Sequence, residues 1–395
     1  MSSDTALAVA GTASGDFDVD ALRREEFPWA DRVVSLDHAS IGPLPERTRR
    51  RLDDYNRVRA EAYRLADEHM FGVFGRSRTL VAELIGAAPS EIALATNTSA
   101  GINLAAQAIP LEPGDIILVS HGEFPANVFP WREQSRRGAV LELVPLGPDG
   151  WPDESRLLAR LEDPRVKILA LSLVQFHTGY LADIGRLGAA ARATGTWFVL
   201  DAIQGLGQEP FDVARTPVDI LACGAQKWLL SPWGSGFTYI RSDLIERLEP
   251  TTVGWTAFQG TDDFGTLTGY PSGWRHDARR FEVITLPFQD FAGMNASLEL
   301  LSELGIDAIA RHLRRLTQPL VAWAQGRGVR LASPTGAQNT DIVSLALPDA
   351  ARVHAELKAR GVVVSLREGL IRVSPHCYNT ADEVTRLIEL LDRTV

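Results

Sequence analysis

Seven short apolar runs punctuate residues 92–240, and the stretches between several of them carry helical periodicity. The runs are IALAT (92–96), IILVS (116–120), VLELVPL (140–146), KILALSLV (167–174), TWFVLD (196–201), DILACG (219–224) and GFTYI (236–240). INLAAQAI and IGRLGAAARATG, which lie between runs, repeat apolar residues at helix spacing. Brief, near-continuous apolar runs alternating with helices are the pattern of strands covered on both faces. The expectation is an α/β fold with a mostly parallel seven-stranded sheet. Gly and Pro in LEPGD, PLGPDGW and SPWGSG mark the joins. Residues 250–280, rich in Gly, Thr and aromatics, have little period and read as a long ordered loop. From residue 291 the pattern becomes a long helix with a break near Gly305, then short strands and an amphipathic terminal helix. The expected organisation is a large domain over 26–290 and a smaller α+β domain over 291–395. Residues 1–25 read as a flexible tail, because their apolar stretch lacks the basic flank of a signal peptide.

Composition narrows the function classes. The chain has 395 residues, 40 basic against 50 acidic, for a net charge of −10. That balance disfavours a nucleic-acid partner, which requires clustered cations. No apolar run reaches the length of a membrane span. Two cysteines, Cys223 and Cys377, allow one bridge at most, which suits a reducing cytoplasm. No metal site is expected. Lysine occurs at only three positions, 167, 227 and 358, so 40 − 3 = 37 of the basic residues are Arg. A Lys kept in an Arg-rich chain can do what Arg cannot, which is to lose its proton and attack a carbonyl. Lys167 and Lys358 read as surface. Lys227, among the small and apolar residues of ILACGAQKWLLSPWG, either snorkels to water or carries chemistry.

In open α/β sheets ligands bind outside the carboxyl ends of the strands. Asp201 ends an apolar run, where it is a helix cap or the partner of a buried cation. Thr98 and Ser99 begin a helix, where hydroxyls and free N–H groups cap the chain or bind an anion. Phe124 follows a strand and either packs in the core or covers a flat ligand. Lys227 follows a fourth run. A single ligand would satisfy all four: planar, with a phosphate, a basic ring nitrogen and an aldehyde. Pyridoxal 5′-phosphate has those groups.

With these residues in hand the sequence resembles the class V aminotransferases of fold type I, which include cysteine desulfurases, isopenicillin N epimerase-like proteins and carbon–sulfur lyases. The resemblance runs over roughly 33–390 and is carried by TNTSAGIN (96–103), GEFPANVFPW (122–131), VLDAIQ (199–204) and CGAQKW (223–228). It implies Lys227 as the Schiff-base lysine, Asp201 as partner of the pyridinium and Gln204 on the ring's phenolic oxygen. It implies Phe124 stacked on the ring, and Thr98, Ser99 and Gln226 at the phosphate. RRFEVIT (279–285) resembles the segment that reaches the neighbouring subunit's phosphate, through Thr285, and so implies a homodimer with shared sites. LIRVSPHCYNT (370–380) resembles the stretch whose arginine, here Arg372, binds the substrate carboxylate.

The departures bear on the reaction. Desulfurases carry a nucleophilic Cys on a loop before that arginine, whereas SLREGLIRV (365–373) is short and has none. Their ring-stacking His is Phe124 here, which cannot carry a proton. VQFHTGY (174–180) puts Gln175 and Phe176 at the expected substrate position, with His177 as a second acid–base candidate or a hydrogen-bonded sheet residue. The expected activity is elimination from a cysteine S-conjugate in a natural-product pathway, without a persulfide. Decarboxylation coupled to oxidative deamination, epimerisation and transamination stay open. Trp255, Phe258 and Phe176 would line a pocket for a bulky substrate.

Overall fold

A computed structural model describes residues 16–394. The main sheet contains β1 (Ile92–Ala95), β2 (Ile116–Ser120), β3 (Val140–Val144), β4 (Val166–Ser172), β5 (Trp197–Asp201), β6 (Ile220–Gly224) and β7 (Gly236–Ile240). Their order is β1-β7-β6-β5-β4-β2-β3. Only β7 runs against its neighbours; the remaining neighbouring pairs are parallel. Six carboxyl ends therefore lie along one edge of the sheet, where a ligand is expected.

Apart from the edge strand β3, the strands read as near-continuous apolar runs because both faces are covered. On one face, Ile102, Ala105 and Ala106 of the helix Thr98–Ala108 meet Ala93, Ile117, Ala170 and Ala222. Gly101 sets that close approach: a Cβ there would stand 2.5 Å from Thr238 Oγ1 and 2.7 Å from the Ala222 Cβ. On the other face, Leu118, Leu169, Leu171, Leu200 and Leu221 pack in the larger core cluster with Leu157 and Leu187 of flanking helices.

A second, antiparallel sheet holds β8 (Arg330–Leu331), β9 (Val343–Ala346), β10 (Ser365–Arg367) and β11 (Leu370–Val373), in the order β10-β11-β9-β8. Gly305, at φ 79°, separates the helix Phe288–Leu304 from Ile306–Gly326. The first of these packs on the helices Glu46–Ala60 and Val73–Ile85, upstream of the main sheet. A division at 290/291 would thus fall inside a helix, whereas Gly305 marks where the chain turns toward the second sheet.

The tail expected over 1–25 is shorter than that. Asp18 caps a helix over Val19–Glu26 by accepting from the Ala21 N–H at 2.9 Å, and Leu22 and Phe27 are buried beside it. Residues 1–15 lie outside the described residues. The next segment is stitched to the far end of the chain: Val34 and Ser35 pair in parallel with Val362 and Val363, and Asp37 bridges to Ser374. Among the described residues no helix is long and apolar enough to cross a membrane.

Candidate active site

Six of the residues singled out above line one cleft at the common strand edge: Thr98, Ser99, Phe124, Asp201, Gln226 and Lys227. Asn97, Ala126 and Ile203 complete its walls. The six arrive from four strand ends. Asp201 is the last residue of β5, Lys227 lies in the turn after β6, Thr98 and Ser99 follow β1, and Phe124 follows β2.

At one end of the cleft stands a helix N-terminus. The Asn97 side chain accepts from the Ala100 N–H, and the Thr98 hydroxyl accepts from the Gly224 N–H at 2.8 Å. The N–H groups of Thr98 and Ser99 have no carbonyl in the preceding turn, so this end suits an anion. At the other end the Lys227 amine makes no hydrogen bond or ion pair among the described residues, and its Nζ lies 5.7 Å from the centre of the Phe124 ring. The lysine turn is fixed from outside: the Gly42 N–H donates to the Gln226 carbonyl at 3.0 Å. Gly42 is required there, since a Cβ would stand 2.2 Å from the Lys227 carbonyl oxygen.

The electrostatics suit a cationic ring and a nucleophilic amine. Burial pushes Asp201 up to about 7, offset in part by the Ile203 N–H and the Lys227 charge. Burial also brings Lys227 down to about 8, and Arg372 and Arg367 push the same way. A buried acid facing an unpaired amine, each displaced toward its neutral form, leaves room for a ligand that supplies positive charge to the acid and a carbonyl to the amine.

Sequence reasoning missed the group beneath Phe124. Glu123 is buried and accepts from the Ser172 N–H (2.9 Å), the Ser172 hydroxyl, the Asn127 amide (3.0 Å) and the Gln175 amide. Asn127 in turn accepts from the Trp131 indole. Burial raises the Glu123 pKa, and its proximity helps raise Asp201. A carboxylate beside the quoted aromatic, in GEFPANVFPW, was the available signal.

The substrate-side residues differ from expectation in several ways. Arg372 is 1 % exposed. Its Nε donates to Ser365 Oγ, Nη1 to the Phe176 carbonyl (2.6 Å) and Nη2 to Ser40 Oγ (2.7 Å), while Asp37 lies 3.4 Å away. Burial brings its pKa down to about 10. Asp37 and Ser40, its anchors, were not anticipated. Gln204 does not line the cleft, because its amide is bonded to the Ala39 carbonyl and the Trp228 indole, both at 2.9 Å. Gln175 is held by Glu123 instead of facing substrate. Phe176 does approach the cleft, meeting Phe124 edge-on at 5.3 Å. His177 lines a neighbouring cavity and not the lysine cleft. Burial lowers its pKa, and its Nδ1 is buried without a hydrogen bond. Trp255 packs with Phe71 and Phe264, and Phe258 stacks on Trp274, so neither forms a pocket around Lys227 in this chain. Thr285 is exposed on the loop before the helix Phe288–Leu304, outside the lysine cleft.

Comparison with known proteins agrees with this geometry. Residues 34–387 match the family described as Aminotransferase class-V. Isopenicillin N epimerase of Streptomyces clavuligerus is 30% identical over 387 residues, covering 91% of this chain and 94% of that protein. The uncharacterised aminotransferase YcbU of Bacillus subtilis (strain 168) is 27% identical over 369 residues, covering 93% and 95%. The apo structure of a cysteine desulfurase from Thermococcus onnurineus NA1 superposes with a TM-score of 0.85 at 23% identity, over 95% of this chain and 98% of that one. The chain belongs to the class-V aminotransferase family and is a pyridoxal-phosphate-dependent enzyme of fold type I.

Proposed function

We propose that this enzyme cleaves the carbon–sulfur bond of a cysteine S-conjugate by β-elimination, in a biosynthetic pathway, without passing through a protein persulfide. One observation carries the last point: neither cysteine can serve as a nucleophile at the cleft. Cys223 lies within β6 and Cys377 in the core, both fully buried, and burial pushes both thiols far above the range in which a thiolate forms. The net reaction converts the conjugate and one water into a thiol, pyruvate and ammonia.

Pyridoxal phosphate supplies an electron sink for the bond broken at the substrate's Cα. The chain's own groups do the rest. Lys227 would hold the aldehyde and, when free of it, would be placed to take the Cα proton, since burial lowers the pKa of its amine. Asp201 keeps the ring nitrogen protonated. Thr98, Ser99, Gln226 and the helix N-terminus hold the phosphate, and Phe124 covers the ring. Arg372 orients the substrate carboxylate with whichever N–H it can free from its present acceptors. Thr285 reaches the phosphate of a second copy in a homodimer.

The test is to supply the loaded enzyme with a cysteine S-conjugate and measure products. Elimination gives thiol, pyruvate and ammonia in equal amounts. Epimerisation is the second reading, favoured by the relative at 30% identity; it gives solvent deuterium at Cα with the sulfur retained. Conversion of the cofactor to its amine form would mean transamination, and carbon dioxide release with oxygen uptake would mean oxidative decarboxylation. Sedimentation of the loaded enzyme tests the dimer.

A further inference from the structure

A second cavity, of about 460 Å³, opens at the same strand edge beside the lysine cleft. Val128, Phe129, Leu143, Leu146 and Phe176 give it apolar walls, and His177 and Glu368 stand on its rim. It lies beside the substrate end of the site, with the paired Phe176 and Phe124 rings between it and the lysine cleft. Phe176 lines the cavity, its ring meets the Phe124 ring that lines the cleft, and its carbonyl accepts from Arg372. On the opposite wall, Glu368 follows Arg367, which donates to the same Ser40 hydroxyl that Arg372 does. The cavity therefore borders the Arg372 group through Phe176, with Glu368 one position from Arg367, while Thr98, Ser99 and Gln226 have no part in it.

The charged side chains that line it, Glu123 and Glu368, are acidic, and the Arg132 guanidinium stands over the Phe129 ring. No Lys or Arg lines it. Glu123, at its floor, is already occupied by four donors, so Glu368 is the exposed charge. His177 offers a buried Nδ1 that has no partner. We propose that this cavity receives the side chain of the amino-acid substrate, and that it selects an apolar or aromatic group, neutral or cationic at its tip, over an anionic one. This rests on the reading of Lys227 as the cofactor lysine and Arg372 as the carboxylate anchor. It moves the bulky-substrate pocket from Trp255 and Phe258 to the ends of β2, β3 and β4.

The test uses the holoenzyme and two amino acids of similar reach, L-homophenylalanine and L-glutamate, with binding followed by the change in the cofactor's visible absorption. The expected preference is at least about tenfold for homophenylalanine, on the scale of burying a few carbons against placing a carboxylate beside Glu368. Leu146→Trp, which fills the cavity, lowers that preference by about tenfold. Glu368→Lys, on the exposed turn between β10 and β11, shifts it toward glutamate. A protein that takes up cofactor but prefers glutamate, or whose preference both variants leave unmoved, overturns the side-chain assignment alone. A protein that never develops the cofactor's absorption overturns the underlying reading, and this inference with it.

Discussion

At the cofactor end of the active site, Lys227 and the first N–H groups of the helix Thr98–Ala108 face the cleft without protein partners, and Asp201 is buried opposite an amine it does not touch. At the substrate end, Arg372 already has three hydrogen-bond acceptors and a nearby carboxylate, and Gln175 is bonded to Glu123. Unpaired groups facing an open cleft can bond only water there, and a ligand that satisfies them gives each a fixed partner. Groups already satisfied gain little from a new partner, because each new bond replaces an old one. On the proposed assignment, the cofactor end has open positions for its ligand's bonds. The substrate end is built for exchange.

The largest effect should come from the unpaired end. Lys227→Ala should abolish the yellow band of the lysine-bound cofactor and reduce turnover by on the order of a thousandfold or more, measured by absorption and product assay; a variant that keeps the band would break the comparison at its root. Next is Arg372→Lys, which removes the planar fork but keeps the charge. KM should rise about ten- to a hundredfold with a smaller change in kcat, since a charged hydrogen bond is worth about 1.5–3 kcal/mol. An unchanged KM would mean that Arg372 serves only Asp37, Ser40 and Ser365.

Asp201→Asn sharpens the contrast through pH. In the cofactor-free protein Asp201 has its pKa raised from 3.8 to about 7, so the native state favours the protonated acid. The stability that proton confers is present below 3.8 and is lost as pH rises through about 7. Cofactor-free Asp201→Asn should therefore gain stability relative to the parent across that window, by a few kcal/mol at most, in denaturant titrations. Loading with cofactor should reverse the order, because the pyridinium then lacks its carboxylate. The smallest effect is Glu123→Gln. It places an amide donor among donors and should cost about 1–3 kcal/mol of stability, while the cofactor's absorption is retained.

The cofactor end was largely legible in the sequence, and the substrate end was not. Asp201 stands out as an acid closing an apolar run, and Lys227 as one of three lysines. Both depend on local cues, which survive without knowledge of the fold. Arg372 depends on Asp37, 335 positions away, and Glu123 on Ser172 and Gln175, 49 and 52 positions away. Neither pairing leaves a periodic trace. Residues 175–177 lie just past the end of β4, where strand alternation no longer says which side chain faces the ligand, and so it does not tell that Gln175 bonds Glu123 or that His177 lines the neighbouring cavity. The helix Phe288–Leu304 was placed with the later segment because its apolar pattern continues past Gly305. Its partners are helices more than two hundred positions earlier, which no local pattern reveals.

The segment 34–42 ties the two ends of the polypeptide to one catalytic turn. It pairs with residues 362–363 and 374 at one end and presses Gly42 onto the Lys227 carbonyl at the other. During synthesis that clasp cannot close before residues 362–374 have been made, long after the lysine turn itself. A chain halted before residue 362 would own every residue of the lysine turn and lack the pairing that holds the segment 34–42 against it.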